Sequence, residues 1–282
     1  MSELGLWWSL LGEGMLASIA VGVMLPLLGA LLFLRKSALL GLAVPQFSAA
    51  GLAFGLFLMP FFPAVQAVFL EHGHPPMLYS FAFAAIAAMV ALIGFAALAS
   101  RSNTRVDGMI AVGFVFALSA TILFLTAAPA GNNLAETLLR GEIILLDQHG
   151  LLVVLAISGL VLAGLTAYWR LFLVAAFDKE HAVALGHSVQ KAEVLQVVLV
   201  GAAVGGGVVT IGPVLVFALL FIPPLVAHPG LPGIRGFLLR TVSCGLASVL
   251  LSWPVSFVLD VPYGPSVALV ACFVGLVMRF FR

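Results

Sequence analysis

Glu71, His72 and His74 stand together in the stretch EHGHPPM, residues 71–77. Two imidazoles and a carboxylate this close in sequence are donors that a zinc-like ion accepts, so the three form a candidate metal-collecting patch. A solvated loop between apolar runs is the other reading of the same residues. A second polar cluster, Pro45, Gln46 and Ser48, interrupts the apolar stretch SALLGLAVPQFSAAGLAFG, residues 37–55. Polar side chains inside a membrane segment face a bundle interior or a cavity, which makes Gln46 and Ser48 candidates for lining a translocation pathway, and Pro45, which removes a backbone donor and is expected to open the helix locally, joins them. Hydrogen bonding to a neighbouring helix would account for them equally well. Other histidines are placed only by position: His149 beside Asp147, His181 and His187 around a polar segment, and His228 at the end of an apolar run. Neither HExxH nor GxxxxGK[ST] occurs, so the chain is expected to be no enzyme and not to hydrolyse ATP itself.

The elements that would hold these residues follow from composition. Charged residues make up 8% of the 282, hydrophobic residues 63%, and mean hydropathy is +1.24. A water-soluble surface needs far more charge, so the whole chain reads as an integral membrane protein. Cys244 and Cys272 lie in apolar runs and suggest small packing residues, with no disulfide framework or metal motif. The first hydrophobic run lacks the basic flank and small-residue site of a signal peptide, and is expected to be retained.

About 20 apolar residues cross a bilayer core as a helix. Candidate spans are 12–34, 39–60, 79–99, 107–127, 149–170, 191–210, 212–228, 236–258 and 263–281, a nine-span all-α polytopic bundle in one domain, 1–282. The break at Gly212-Pro213 leaves eight crossings as the alternative. Arg35, Lys36, Arg101, Arg105, Arg170, Lys179, Lys191, Arg235, Arg240, Arg279 and Arg282 all fall on one side of a nine-span map, which puts the N-terminus outside and the C-terminus in the cytoplasm. Outer residues 128–148, with Glu136, Arg140, Glu142 and Asp147 among leucines and isoleucines, suggest an interfacial amphipathic helix. Asp107 suits the first turn of the fourth span, and Asp260 a turn before Pro262.

One connection does not read as a spacer. LFLVAAFDKEHAVALGHSVQKAE, residues 171–193, places Asp178, Lys179, Glu180 and His181 before an apolar run through Leu185 that ends at Gly186. Asp178 can cap a helix, Glu180 suits its first turn, and Gly186 can end it in the left-handed conformation. A short helix at about 177–187 either rests on the membrane surface or docks a cytoplasmic partner. Glycines at 201, 205–207 and 212 allow close approach and bending of the later spans, which suits a conduit.

Four stretches carry a family resemblance in order along the chain: LRKSALLGLA at 34–43, RVDGMIAVGFVFAL at 105–118, FDKEHAVALG at 177–186 and VLDVPYGPSVALV at 258–270. Together they resemble permeases of ATP-driven ABC importers for zinc, manganese or iron, related more distantly to vitamin B12 and siderophore permeases. The resemblance implies a type II importer permease fold and a homodimeric pathway for a divalent metal ion. It implies two cytoplasmic ATPases docked on a coupling helix containing Asp178, Lys179, Glu180, His181, Leu185 and Gly186. It also implies an extracytoplasmic binding protein and a bacterial plasma membrane, the inner membrane in a Gram-negative cell. ATP would be used by the partner; no cofactor in this subunit and no nucleic acid are expected.

The sequence departs from that pattern where it bears on cargo. The resembled permeases carry an aspartate after ALLG and a histidine four residues later; here these are Leu42 and Gln46. A neutral amide is a poor substitute for a carboxylate and an imidazole as metal ligand. Either the ion passes without a fixed membrane site, or the cargo is a metal chelate or another small polar solute. An ion-coupled secondary transporter is the remaining alternative, against which stands the lack of mid-span carboxylates.

Overall fold

A computed structural model describes residues 3–35, 37–72, 75–101, 106–129, 148–177, 183, 188–228 and 233–280. Among them every extended element is helical. In order these are α1 (Glu3–Leu34), α2 (Leu40–Leu58), a 3₁₀ turn (Met59–Phe61), α3 (Pro63–His72), α4 (Met77–Arg101), α5 (Val106–Ala127), α6 (Gln148–Ala167), α7 (Trp169–Phe177), α8 (Val189–Ile211), α9 (Pro213–Ala227), α10 (Ile234–Leu259) and α11 (Tyr263–Phe280).

Among the described residues, seven helices are long and apolar enough to cross a membrane: α1, α2, α4, α5, α6, α8 and α10. The runs expected at 212–228 and 263–281 form the shorter apolar helices α9 and α11. At about 1.5 Å per residue, the 15 residues of α9 rise roughly 22 Å, short of a hydrocarbon core of about 30 Å. Two elements were not anticipated. Pro63, with φ already fixed for a first helical position, opens α3 inside an expected loop. The fifth run ends at Ala167, and after Tyr168 a separate α7 occupies residues read as the start of the polar connection. Its Phe172 and Ala175 are buried in the main core, which is why it folds back on the bundle.

Gly212 divides α8 from α9. Its φ of 81° and ψ of 157° suit glycine alone, and Pro213 starts the next helix where no amide hydrogen is needed. Asp260 closes α10 in the left-handed conformation, φ 51°, the turn role expected of it. Asp107 lies in the first turn of α5.

Prolines inside helices mark two close crossings of α1. Pro224 has no N–H to give the Leu220 carbonyl, and Pro26 none for Gly22. Each freed carbonyl meets a glycine on another helix. A methyl group in place of the Gly29 hydrogen would fall on the Leu220 carbonyl group, 2.8 Å from its carbon and 3.0 Å from Pro224 Cγ. A methyl group at Gly245 would lie 2.7 Å from the Gly22 oxygen and clash with the Pro26 ring. Thus α1 is notched into α9 and α10 by the same device twice. Nearby, Trp253 Nε1 donates to Ser18 Oγ at 3.1 Å, and the Tyr263 hydroxyl donates to the Val249 carbonyl at 2.9 Å. These bonds satisfy buried polar groups where no solvent could. In α10, Ser248 and Ser252 donate back to carbonyls four residues earlier, at 2.7 and 2.6 Å.

Candidate functional site

One end of the bundle gathers the last turn of α1, the start of α8, the last turn of α9 and the start of α10. Phe33 meets His228 with ring centres 4.8 Å apart, and both rings contact Phe237 at 5.9 and 6.2 Å. His228 is exposed. Beside this aromatic cluster, Arg35 turns inward. Its Nη1 donates to Gln196 Oε1, and its Nη2 lies 3.4 Å from Glu193 Oε1. The guanidinium side chain is 14% exposed. Burial lowers its pKa and the Glu193 charge partly offsets this, so a charged group sits here only because acceptors meet it.

Gln196 and Glu193 are three residues apart, on one face of the first turns of α8. Ser188 caps that helix, its Oγ accepting from the Lys191 amide at 3.3 Å. The segment expected to dock a partner is therefore bounded by the end of α7 at Phe177 and the cap of α8 at Ser188. Asp178, Lys179, Glu180, His181, Leu185 and Gly186 themselves lie outside the described residues, as does His187; Val183 is helical and exposed.

The three pathway candidates lie on α2, which runs unbroken through Pro45. The proline does not open the helix, but it leaves the Gly41 carbonyl without its usual donor. Pro45 is buried and Gln46 half-buried. Ser48 is fully buried, and its Oγ has no hydrogen-bond partner. That separates it from Ser248 and Ser252, which are satisfied within their own helix. A second uncommitted hydroxyl, Ser158, borders a cavity of about 10 Å³ shared with Gly206, Gly207, Thr210 and Met24. A void this size holds one water at most. At the other end of α2, the Met59 amide bonds to Leu56, and the Tyr79 hydroxyl donates to the Gly55 carbonyl at 2.7 Å.

The candidate metal patch is only partly described. Glu71 is exposed in the last turn of α3 and His72 ends that helix, whereas His74 lies outside the described residues. No cluster of three or more His, Cys, Asp or Glu side chains that could hold a metal ion forms among the described residues. His149 is in the first turn of α6; Asp147 and the expected interfacial helix at 128–148 fall almost wholly outside the description. The Arg35 joint was missed by sequence reasoning, which used Arg35 to orient the chain and as part of LRKSALLGLA. The available signal was Glu193 and Gln196, two polar residues on one face near the start of an apolar helix.

These features define a multi-pass helical membrane protein with a buried polar joint at one end and uncommitted hydroxyls among its helices. Residues 8–282 match the ABC 3 transport family, and the chain belongs to it. A manganese transport system membrane protein, MntC, from Halalkalibacterium halodurans is 24% identical over 274 residues, covering 97% of this chain and 88% of that one. Two solved structures share the fold. One is PsaBC from Streptococcus pneumoniae in complex with Fab, with a TM-score of 0.75 at 19% identity over 95% of this chain and 90% of that one. The other is an inward-facing conformation described as a metal-chelate type ABC transporter, with a TM-score of 0.74 at 18% identity over 100% of this chain and 90% of that one.

Proposed function

We propose that this chain is the permease subunit of an ATP-driven importer for a divalent metal ion, with manganese the first candidate and zinc the second. The observation that carries the reading is the similarity of nearly the whole chain to a manganese permease within the same family. Two copies would enclose the pathway, with Gln46 of α2, half-buried in the single chain, the candidate to face it and Pro45 and Ser48 behind it. Ser48 is fully buried within one copy, so its unpartnered hydroxyl would reach the pathway only where neighbouring helices part.

In the proposed orientation the N-terminus is outside, the chain crosses nine times with α9 and α11 as short crossings, and the Arg35 end is cytoplasmic. The presence of Arg35, Lys191, Arg235 and Arg240 at that end supports it. Two ATPases dock on 177–187, and a binding protein delivers cargo at the opposite face, where Glu71, His72 and His74 could receive it. Switching enters by contact, since this chain has no phosphate-binding loop. The membrane is the plasma membrane of a bacterium.

Deleting 178–186 tests the docking. The variant is expected to stay folded in the membrane but to lose co-purifying ATPase; retention of ATPase at the wild-type ratio would reject the assignment. A second reading, import of a metal chelate or small polar solute, is favoured by Leu42 and Gln46, which leave α2 without the charged ligands a bare ion prefers.

A further inference from the structure

Arg35 lies where two parts of the proposed machine meet. α8 begins at Val189, two residues beyond the 177–187 segment, and carries Glu193 and Gln196 in its first turns. On the other side, Arg35 follows α1 and opens the short turn into α2, the helix of Pro45, Gln46 and Ser48. One guanidinium thus bridges the helix leaving the docking segment and the turn entering the pathway helix. A basic residue at a membrane boundary commonly extends its charge to water. This one instead points into the bundle, against a glutamine that is itself 6% exposed. The planar fork of arginine holds two acceptors in fixed relation, which a lysine ammonium does not.

We propose that Arg35 is a positioning residue for energy coupling: by holding Gln196 and Glu193, it makes the start of α8 and the α1–α2 turn move together when the 177–187 segment is displaced. This rests on the reading that 177–187 docks the ATPase. Side-chain bonds carry such coupling when both sites bias the same two-state element. Here the link runs from the start of α8, through Arg35, to the α1–α2 turn.

The test uses the full complex with its ATPases in proteoliposomes. Cys244 and Cys272 are replaced by alanine, and Gln46→Cys, on α2 beyond the α1–α2 turn, is the reporter. Its labelling by a membrane-impermeant maleimide is timed with and without ATP and vanadate. The parent is expected to change its labelling rate about tenfold on nucleotide trapping. Arg35→Ala is expected to abolish that change while the ATPases remain bound at the parent ratio, and Arg35→Lys to restore part of it. Gln196→Met, which removes the acceptor and keeps the bulk, is expected to diminish the change too and serves if Arg35→Ala does not fold. An undiminished nucleotide response in either variant overturns the proposal, as does a parent whose α2 shows no response. Loss of the ATPases from Arg35→Ala overturns it as well, because the joint would then support docking and not transmission. Docking itself is read separately from the 178–186 deletion, so the two ideas fail by different results.

Discussion

The crossings of α1 with α9 and α10 and the crossings around α2 and α8 both rely on glycine, yet they differ in what meets it. At Gly29 and Gly245 the neighbour is backbone: a carbonyl freed by proline, with the proline ring beside it. Around α2 and α8, Gly55 faces the Phe83 ring, Gly113 the Phe95 ring and Gly201 the Met89 side chain. Backbone contacts occur there too, a methyl group at Gly51 lying 2.5 Å from the Phe83 carbonyl oxygen and one at Gly205 2.7 Å from Ala85 Cα. Backbone cannot yield without moving a helix, whereas a side chain can change rotamer. The first region, fastened further by Trp253, Ser18 and Tyr263, is built to keep one arrangement. The second holds Ser48, Gln46 and the Arg35 joint; backbone contacts at Gly51 and Gly205 fix it in places, while Gly55, Gly113 and Gly201 meet side chains that can adjust. Gly22 of the first region likewise meets a side chain, that of Val249, so the two regions differ in balance: proline-freed carbonyls in the first, more side-chain contacts in the second.

That contrast is breakable by substitution. Gly29→Ala is expected to be the most damaging, costing about 3 kcal/mol or more as lost thermal stability in detergent, because a carbonyl and a proline ring must move. Gly201→Ala, against the flexible Met89, is expected to cost roughly 1 kcal/mol. Equal losses at the two positions would remove the distinction. Trp253→Phe strips the donor from Ser18 and is expected to lower stability by about 1 kcal/mol, again followed by thermal unfolding. Gly159→Ala, with open space around it, is expected to gain roughly 0.5 kcal/mol by lowering the backbone entropy of the unfolded chain. Smallest of all, Ser48→Ala is expected to leave stability within about 0.5 kcal/mol, since no partner is lost. Its effect belongs in transport assays instead, where a pathway residue alters rate and a merely structural one does not.

Much of this architecture was legible in the sequence. Long apolar runs and their basic ends gave α2, α4, α5, α6, α8 and α10 nearly at their bounds and the end of α1, whose helix starts at Glu3 and not near residue 12, because composition alone distinguishes such helices. The Gly212-Pro213 break was visible for the same local reason. What escaped were features set by contact between distant segments. Nothing in the run around residue 171 announced that Phe172 would find the core and separate α7 from α6. Pro26 and Pro224 were readable as helix irregularities, but their glycine partners stand on other helices, close only after packing. Arg35 carried a sign and a position in the sequence; its inward turn toward Gln196 depends on where α8 begins. The pathway candidates were found through their polarity, yet only burial singled out Ser48 as uncommitted.

The central claim is ATP-driven movement of a metal ion through this permease. It is tested most directly by reconstituting the permease with its ATPase and binding protein and measuring uptake of manganese, zinc, iron and a chelated metal side by side. ATP-dependent accumulation of a free divalent ion, manganese foremost, is the expected result. Uptake of a chelate or organic solute, with every free divalent ion left outside, would contradict it.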